Sequence, residues 1–127
     1  MSVTGESRLL IDGKLVNATG GRSYPNVNPA TEEVIGQVAD ATREDMERAI
    51  AAARRAFDTS DWSTNLAKRA KCLRQLHAAL TKHKEASRPQ IVAEVGTPIM
   101  LTYAVQQDSC ITDMLWDIEC AEKYSWE

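Results

Sequence analysis

The sequence predicts an α+β fold in which N-terminal β-hairpins are followed by about four helices. Residues 1–41 hold short apolar runs separated by turn residues, whereas residues 42–127 show the apolar spacing of amphipathic helices. The chain therefore divides into a hairpin segment, 1–41, and a helical segment, 42–127. Its 127 residues, 43% hydrophobic and 26% charged, suit one soluble globular unit and leave no room for a multidomain enzyme.

Asp12-Gly13 lies between two apolar runs, at residues 9–11 and 15–16. Glycine adopts the positive φ of a tight turn at little cost, so this pattern predicts a β-hairpin. Thr19-Gly20-Gly21 then interrupts the chain. The following segments are predicted as a strand, a turn and a strand, at residues 24–27, 28–31 and 34–38.

The first helix is predicted to begin at Thr42, because Thr42 and Asp45 have the spacing of a capping box. At about 100° per residue its apolar side chains fall in one stripe, and its charged side chains face away. We expect this stripe to pack and the other side to face water. Its members are Met46, Ala49, Ile50, Ala53 and Phe57.

A second helix is predicted after Trp62, with Ser63 or Thr64 as its N-cap. One face of this helix is apolar and includes a histidine, which we interpret as a hydrogen-bonded core residue rather than a ligand. That face consists of Leu66, Ala70, Leu73, Leu76, His77 and Leu80.

A short third helix is predicted at residues 89–95, since proline is favoured at a first helical position and Gly96 closes the end. The fourth helix, at residues 100–122, is the longest. It carries one apolar stripe and a second apolar face, which a self-contained bundle does not need. The stripe is Tyr103, Ala104, Ile111, Met114, Leu115 and Ile118, and the second face is Leu101, Val105 and Trp116.

The charge and hydropathy patterns exclude several partner classes. Fifteen Lys and Arg against eighteen Asp and Glu give a net charge of −3, so no electrostatic case exists for nucleic acid or an anionic membrane. No apolar run reaches the roughly 18 residues of a membrane helix, and the N-terminus lacks the pattern of a secretion signal. We expect a cytoplasmic protein, because three cysteines without paired spacing suit a reducing compartment.

The residues alone predict no catalytic and no cofactor-binding site. Cys72, Cys110 and Cys120 have no activating neighbour in sequence, and the last two are interpreted as packing residues. Gly20-Gly21 has no further glycines and no helix behind it, so it is not a dinucleotide-binding loop. The clustered carboxylates lie in a predicted turn and in the first turn of a helix, where solvation and the helix dipole account for them.

Six segments in order resemble the N-terminal part of the NAD(P)-dependent aldehyde dehydrogenase superfamily, whose fold is α/β. They cover nearly the whole chain from Leu9 onward, and their order and spacing together are specific. They are Leu-Ile-Asp-Gly-Lys-Leu-Val at 10–16, Val-Asn-Pro-Ala-Thr-Glu-Glu-Val-Ile at 27–35, the helix at 45–57 followed by Trp62, the helix at 69–80, Ala-Glu-Val-Gly-Thr-Pro at 93–98, and Ala-Glu-Lys-Tyr at 121–124.

The resemblance implies a chemistry for a complete enzyme. A cysteine thiolate attacks the aldehyde, an asparagine side chain stabilises the oxyanion, NAD or NADP accepts hydride, and a glutamate activates water for deacylation. The segments of the family that carry this asparagine, cysteine and glutamate correspond to positions beyond Glu127. We therefore expect this chain to resemble about the first quarter of such an enzyme, and to be inactive and without cofactor alone.

The resemblance also implies a cation site and a set of partners. Some members hold a monovalent cation through main-chain carbonyls, and the matching positions are Asn26, Val27 and Glu94. The aldehyde substrate belongs only to the complete enzyme, and exposed apolar surface predicts self-association or a homo-oligomer. In this interpretation residues 1–41 and 42–127 together form one partial, cofactor-domain unit of a larger enzyme.

Two alternatives stay open at this stage. The same hairpins and helices could form a non-catalytic binding module derived from that fold, which docks on a partner. A stand-alone helical domain of unrelated function is the third hypothesis.

Overall fold

The structure is a computed structural model that describes residues 5–125. It consists of two two-stranded antiparallel sheets followed by helices, which confirms the α+β class. In chain order the elements are β1 (Leu9–Ile11), β2 (Lys14–Val16), β3 (Ser23–Val27), β4 (Val34–Ala39), α1 (Arg43–Thr59), a 3-10 turn (Asp61–Ser63), α2 (Leu66–Val95), α3 (Ile99–Thr102) and α4 (Asp108–Lys123).

The residues group into two compact units, one up to Ser60 and one from Asp61 onward. Strand gives way to helix between Ala39 and Arg43, as the composition predicts, but α1 groups with the strands rather than with the later helices. That residues 1–41 and 42–127 form part of a larger unit stays a prediction.

The predicted Asp12-Gly13 hairpin is confirmed. β1 pairs with β2 in antiparallel register, with Leu10 opposite Leu15. Asp12 and Gly13 have φ of 54° and 72°, the two positive values of the turn type whose twist matches that of the flanking strands.

β3 and β4 form the second hairpin, again as predicted. Asn28 builds the connecting turn, because its side-chain oxygen accepts a hydrogen bond from the Ala30 amide at 2.9 Å and its carbonyl accepts one from the Glu32 amide at 2.8 Å. Asn26 pairs with Gly36 and Val27 with Val34, so Ile35 is an extra residue in the ladder.

Helix α1 has the predicted capping box. The Thr42 hydroxyl accepts from the Asp45 amide, and the Asp45 carboxylate accepts from the Thr42 amide at 2.9 Å. The expectation that its apolar stripe packs is wrong: Asp45 and Ala52 are the buried residues of α1, and the larger stripe members are exposed. These exposed members are Met46, Ile50 and Phe57.

Helix α2 is one continuous helix from Leu66 to Val95, which corrects two expectations. Its N-cap is Asn65, whose side chain accepts from the Lys68 amide at 2.9 Å, and not Ser63 or Thr64. No separate third helix begins at Pro89, because the helix runs through this proline. Its end is as predicted: Gly96 has φ of 71° and donates to the Val92 carbonyl at 2.9 Å.

We expect Pro89→Ala to stabilise the second unit. An interior proline removes one helix hydrogen bond and contacts the preceding turn, at a cost of about 3 kcal/mol in an undistorted helix. Partial relaxation of α2 makes about 1–3 kcal/mol recoverable. Urea unfolding followed by tryptophan fluorescence measures this, and an unchanged midpoint would show that the proline is fully accommodated.

The predicted fourth helix is two helices. α3 ends at Thr102, and α4 begins only at Asp108, so α2 and not the last helix is the longest. Ile111 and Ile118 of α4 are buried, while Trp116 is exposed. The prediction of a second face on one helix is wrong, because its other two residues lie outside α4: Leu101 is in α3 and Val105 is between the two helices. Within residues 5–125, no helix combines the length and the apolar character needed to span a membrane.

Candidate functional site

The most buried polar group of the first unit is the Asp45 carboxylate. It accepts hydrogen bonds from the Thr19 amide at 3.0 Å, the Thr19 hydroxyl at 2.6 Å and the Thr42 amide at 2.9 Å, and Arg48 approaches it at 3.2 Å. The Thr19 hydroxyl and the Thr42 amide hold the pKa of Asp45 well below its usual range. We call these four residues the Asp45 anchor; it ties the loop after β2 to the start of α1.

The most buried charge of the second unit is Arg88 of α2, which is 2% exposed. Its guanidinium donates to the Glu85 carboxylate at 2.7 and 2.9 Å and lies 2.7 Å from an Asp108 oxygen. It also donates to the Thr102 carbonyl at 2.5 Å and covers the Tyr103 ring at 3.9 Å. The Glu85 carboxylate, and after it the Asp108 carboxylate, raise the pKa of Arg88.

Gln107 completes this arrangement, which we call the Arg88 cluster. Its side-chain oxygen lies 3.3 Å from an Arg88 nitrogen, and its amide nitrogen donates to the Lys84 carbonyl at 2.9 Å. The cluster therefore fastens α3 and the start of α4 onto α2. The guanidinium and the carboxylates of the cluster bind one another, so the cluster positions the helices and has no group left for catalysis. Its members are Arg88, Glu85, Thr102, Tyr103, Gln107 and Asp108.

The residues predicted to hold a monovalent cation belong to different units. Asn26 and Val27 lie at the end of β3, in the first unit. Glu94 lies in the last turn of α2, in the second unit, where main-chain carbonyls have no partner inside the helix. The Glu94 carbonyl fits a carbonyl ligand, whereas the other two lie on a paired strand. The ligand set stays a prediction.

The cysteines and His77 form no catalytic group in the described part of the chain. All three thiols are free; Cys72 is half-buried, while Cys110 and Cys120 are exposed. The interpretation of Cys110 and Cys120 as packing residues is therefore wrong. His77 is half-buried on α2. Among residues 5–125, no group of three or more His, Cys, Asp or Glu side chains has the arrangement of a metal site.

An open groove of about 680 Å³ lies between the first half of α2 and the end of α4. Its lining includes the small side chains of Ala67, Ala70 and Ala121. On its rim Arg74 donates to Glu122 at 2.9 Å, a contact that lowers the pKa of Glu122. The groove carries no thiol or imidazole, so it offers no nucleophile.

The model of the "Aldehyde dehydrogenase family" matches residues 15–127. The chain belongs to the aldehyde dehydrogenase family. The resemblance that six short segments indicate is thereby confirmed. Among curated proteins, aminoacetaldehyde dehydrogenase of Pseudomonas aeruginosa is 34% identical over 91% of this chain, and a peroxisomal aminoaldehyde dehydrogenase of Malus domestica is 35% identical over 98%.

Solved structures agree with this assignment. A betaine aldehyde dehydrogenase from Staphylococcus aureus, in complex with NAD+, superposes on 96% of this chain with a TM-score of 0.89 and 32% identity. An NAD+ complex of an aldehyde dehydrogenase from Bacillus cereus gives a TM-score of 0.87 at 27% identity over 97% of the chain. The chain spans only about a quarter of each relative: 24% of both curated proteins, and 24% and 25% of the two solved chains.

Sequence reasoning missed the Arg88 cluster and only half recognised the Asp45 anchor. The capping-box spacing identifies Asp45 as a partner of Thr42, but its bonds to Thr19 span 26 residues. Arg88 has a weaker signal, an arginine directly before a proline in a long helical pattern. Nothing in the local sequence relates it to Thr102 or Asp108.

Proposed function

We propose that this chain is an N-terminal aldehyde dehydrogenase segment that supplies structure to an NAD- or NADP-dependent enzyme and has no activity alone. The observation that carries the proposal is the family match over residues 15–127, against coverage of only about a quarter of each relative. In the complete enzyme an aldehyde is oxidised to a carboxylic acid, and NAD or NADP accepts the hydride. A reducing compartment such as the cytoplasm suits the three free thiols.

The described residues support a structural role. Two buried polar arrangements, the Asp45 anchor and the Arg88 cluster, are engaged in contacts within their own units. A general base or nucleophile needs a free lone pair facing a substrate, which neither arrangement offers. These residues therefore hold loops and helices in place for chemistry that other residues perform.

We expect no dehydrogenase activity from the purified chain, because the family segments that carry the nucleophile, the general base and the oxyanion asparagine correspond to positions beyond Glu127. NADH or NADPH formation is measured with aminoacetaldehyde, betaine aldehyde and benzaldehyde, aldehydes named for its relatives. A rate that scales with protein concentration and is abolished by Cys110→Ser would contradict the proposal. Thr112→Ser serves as a matched control on the same helix.

We expect negligible binding of NAD and NADP. A dinucleotide site of the common type needs a helix N-terminus at the end of a parallel sheet, and both sheets in the described part are antiparallel hairpins. Calorimetric titration of the purified chain decides this point. A saturable micromolar isotherm for either nucleotide would refute the expectation.

A non-catalytic binding module is the second candidate function. Exposed apolar side chains on α1, α2 and α4 favour it, since such surfaces on soluble proteins commonly bind partners. The gene sequence downstream of Glu127 separates the candidates: an open frame with the Pro-Trp-Asn segment and a later cysteine supports the enzyme segment.

A further inference from the structure

Helix α1 has an exposed apolar face on the side away from the first hairpin. Met46, Ile50 and Phe57 of this face are 58%, 60% and 47% exposed. The residues of α1 that share a cleft with β1 and β2 lie about 100° to 200° around the helix from Ile50, at 100° per residue. They are Arg48, Ala51, Ala52 and Arg55. The hairpin therefore packs on one side of α1, and the opposite side is in water.

The exposed face has the spacing of a short coiled-coil seam. Its members follow one another at intervals of four, three and four residues, the alternation that keeps apolar side chains between two packed helices: Met46, Ile50, Ala53 and Phe57. A two-fold axis through the middle of this run brings Met46 of one copy against Phe57 of another. The same axis brings Ile50 against Ala53. The face is therefore complementary to itself in an antiparallel arrangement.

The charges beside this face alternate in sign. Four charged residues lie about 20° to 80° to one side of Ile50: Arg43, Glu47, Arg54 and Asp58. Arg43 contacts Glu47 at 2.8 Å. Arg54 contacts Asp58 at 2.8 Å. These pairs within one helix are exposed, so each carboxylate and guanidinium stays accessible to a second partner.

An antiparallel pair of α1 helices joins opposite charges. The two-fold axis places the charged flank of one helix against the same flank of the other, in reverse order. Glu47 then faces Arg54 of the second copy, and each contact occurs twice. Arg43 faces Asp58 of the second copy in the same way. Electrostatic complementarity of this kind selects the partner and fixes its orientation.

A parallel pair lacks these contacts. It would place the charged flank of one helix against the other flank of the second, which carries Ala49 and Ala56. We propose that the chain forms a two-fold dimer through antiparallel contact of its α1 helices. This association goes beyond the proposed function, because it uses neither an aldehyde nor a nucleotide.

Sedimentation of the whole chain tests the apolar part of the contact. We expect a reversible equilibrium between monomer and dimer in the wild type. Ile50→Lys should weaken dimerisation by more than about tenfold, because it places a charge at the centre of the seam. Circular dichroism should show that the variant still folds, since Ile50 is exposed in the single chain.

Charge exchange tests the orientation. Glu47→Arg sets like charges opposite Arg54, and Arg54→Glu sets like charges opposite Glu47, so each variant alone should dimerise about tenfold more weakly than the wild type. An equimolar mixture of the two variants joins opposite charges again and should recover the dimer. Changes within each helix are the same in the mixture as in the separate variants, so recovery reports contact between helices.

Glu44→Arg is the matched control. It makes the same change of charge in the same helix, but at an exposed position about 120° from Ile50 and outside the contact. We expect its dimerisation to stay within about threefold of the wild type. A loss as large as that of Glu47→Arg would show that net charge alone controls the association, and would overturn the proposal.

The remaining outcomes also decide the proposal. A wild-type chain that stays monomeric, a dimer that Ile50→Lys leaves unchanged, or a mixture that does not recover the dimer overturns it. So does a monomer that binds phosphatidylserine vesicles in the wild type but not as Ile50→Lys, since the face would then serve a membrane. NADH formation by the chain alone would contradict the proposed function and leave the dimer unaffected.

Discussion

Arg88→Leu should lower the melting temperature of the second unit by more than about 10 °C, the largest effect expected in this chain. The substitution leaves the Thr102 carbonyl, the Gln107 side chain and the half-buried Asp108 without their shared donor. Removing one partner of a buried ion pair is costly because the other charge stays desolvated. Thermal unfolding followed by tryptophan fluorescence measures the effect, since every tryptophan of the chain lies after Asp61.

Two further variants distinguish the effect of breaking the Arg88 cluster from the effect of losing a positive charge. Arg74→Leu removes an arginine of the same helix from an exposed pair with Glu122 and should shift the melting temperature by no more than about 3 °C. Arg88→Lys keeps the charge but has three N–H donors instead of five and lacks the planar fork. It cannot combine the two-bond contact with Glu85 with the contacts to Asp108 and the Thr102 carbonyl, so its melting temperature should lie between those of the wild type and Arg88→Leu. Equal decreases in melting temperature for Arg74→Leu and Arg88→Leu would show that the buried cluster stabilises the unit no more than an exposed ion pair does.

Asp45→Asn should release the loop after β2 from the start of α1. The neutral amide cannot accept from the Thr19 and Thr42 amides and the Thr19 hydroxyl as a carboxylate does. We expect protection of the Thr19 amide from hydrogen exchange to fall by more than about tenfold. Exchange followed by mass spectrometry measures this, and Glu44→Gln, in the same helix turn but exposed, is the control. Unchanged protection in Asp45→Asn would show that the anchor is dispensable.

The same carboxylate gives the first unit a pH dependence with a defined sign. The pKa of Asp45 is held well below its usual range, so the folded state binds the proton less readily than the unfolded state does. The resulting stabilisation is full above the unfolded pKa of about 4 and is lost as the pH falls below it. Hydrogen exchange between pH 5 and pH 3 should show this loss in the wild type and not in Asp45→Asn.

The features that were predicted correctly from the sequence are local ones. Asp12-Gly13, the Thr42–Asp45 capping box and the Gly96 helix end each depend on residues within a few positions, because turn and cap geometry is set by neighbouring backbone. Six ordered segments were sufficient to identify the family. No local signal distinguishes a proline at the start of a helix from one inside it, so the continuity of α2 through Pro89 was missed.

The burial of helix faces could not be predicted in the same way. Periodicity shows that α1 and α2 have apolar faces, but burial depends on what packs against them. In this chain Asp45 and Arg88 form hydrogen bonds with residues distant in sequence. These polar side chains are therefore buried. The cation ligands at Asn26, Val27 and Glu94 are main-chain carbonyls, which have almost no side-chain signature, and they stay a prediction.

The small apolar interior also affects how stability varies with temperature. The largest fully buried side chains are Arg88, Ile118, Thr102 and Asp45, so only one of the four is apolar. Exposure of apolar surface raises the heat capacity on unfolding, and exposure of polar surface lowers it. The isolated chain should therefore unfold with a heat-capacity change below the usual 12–15 cal/mol/K per residue, roughly, of globular proteins. Its free energy of unfolding then curves weakly with temperature, and cooling should weaken it less than it weakens a protein with an aliphatic interior.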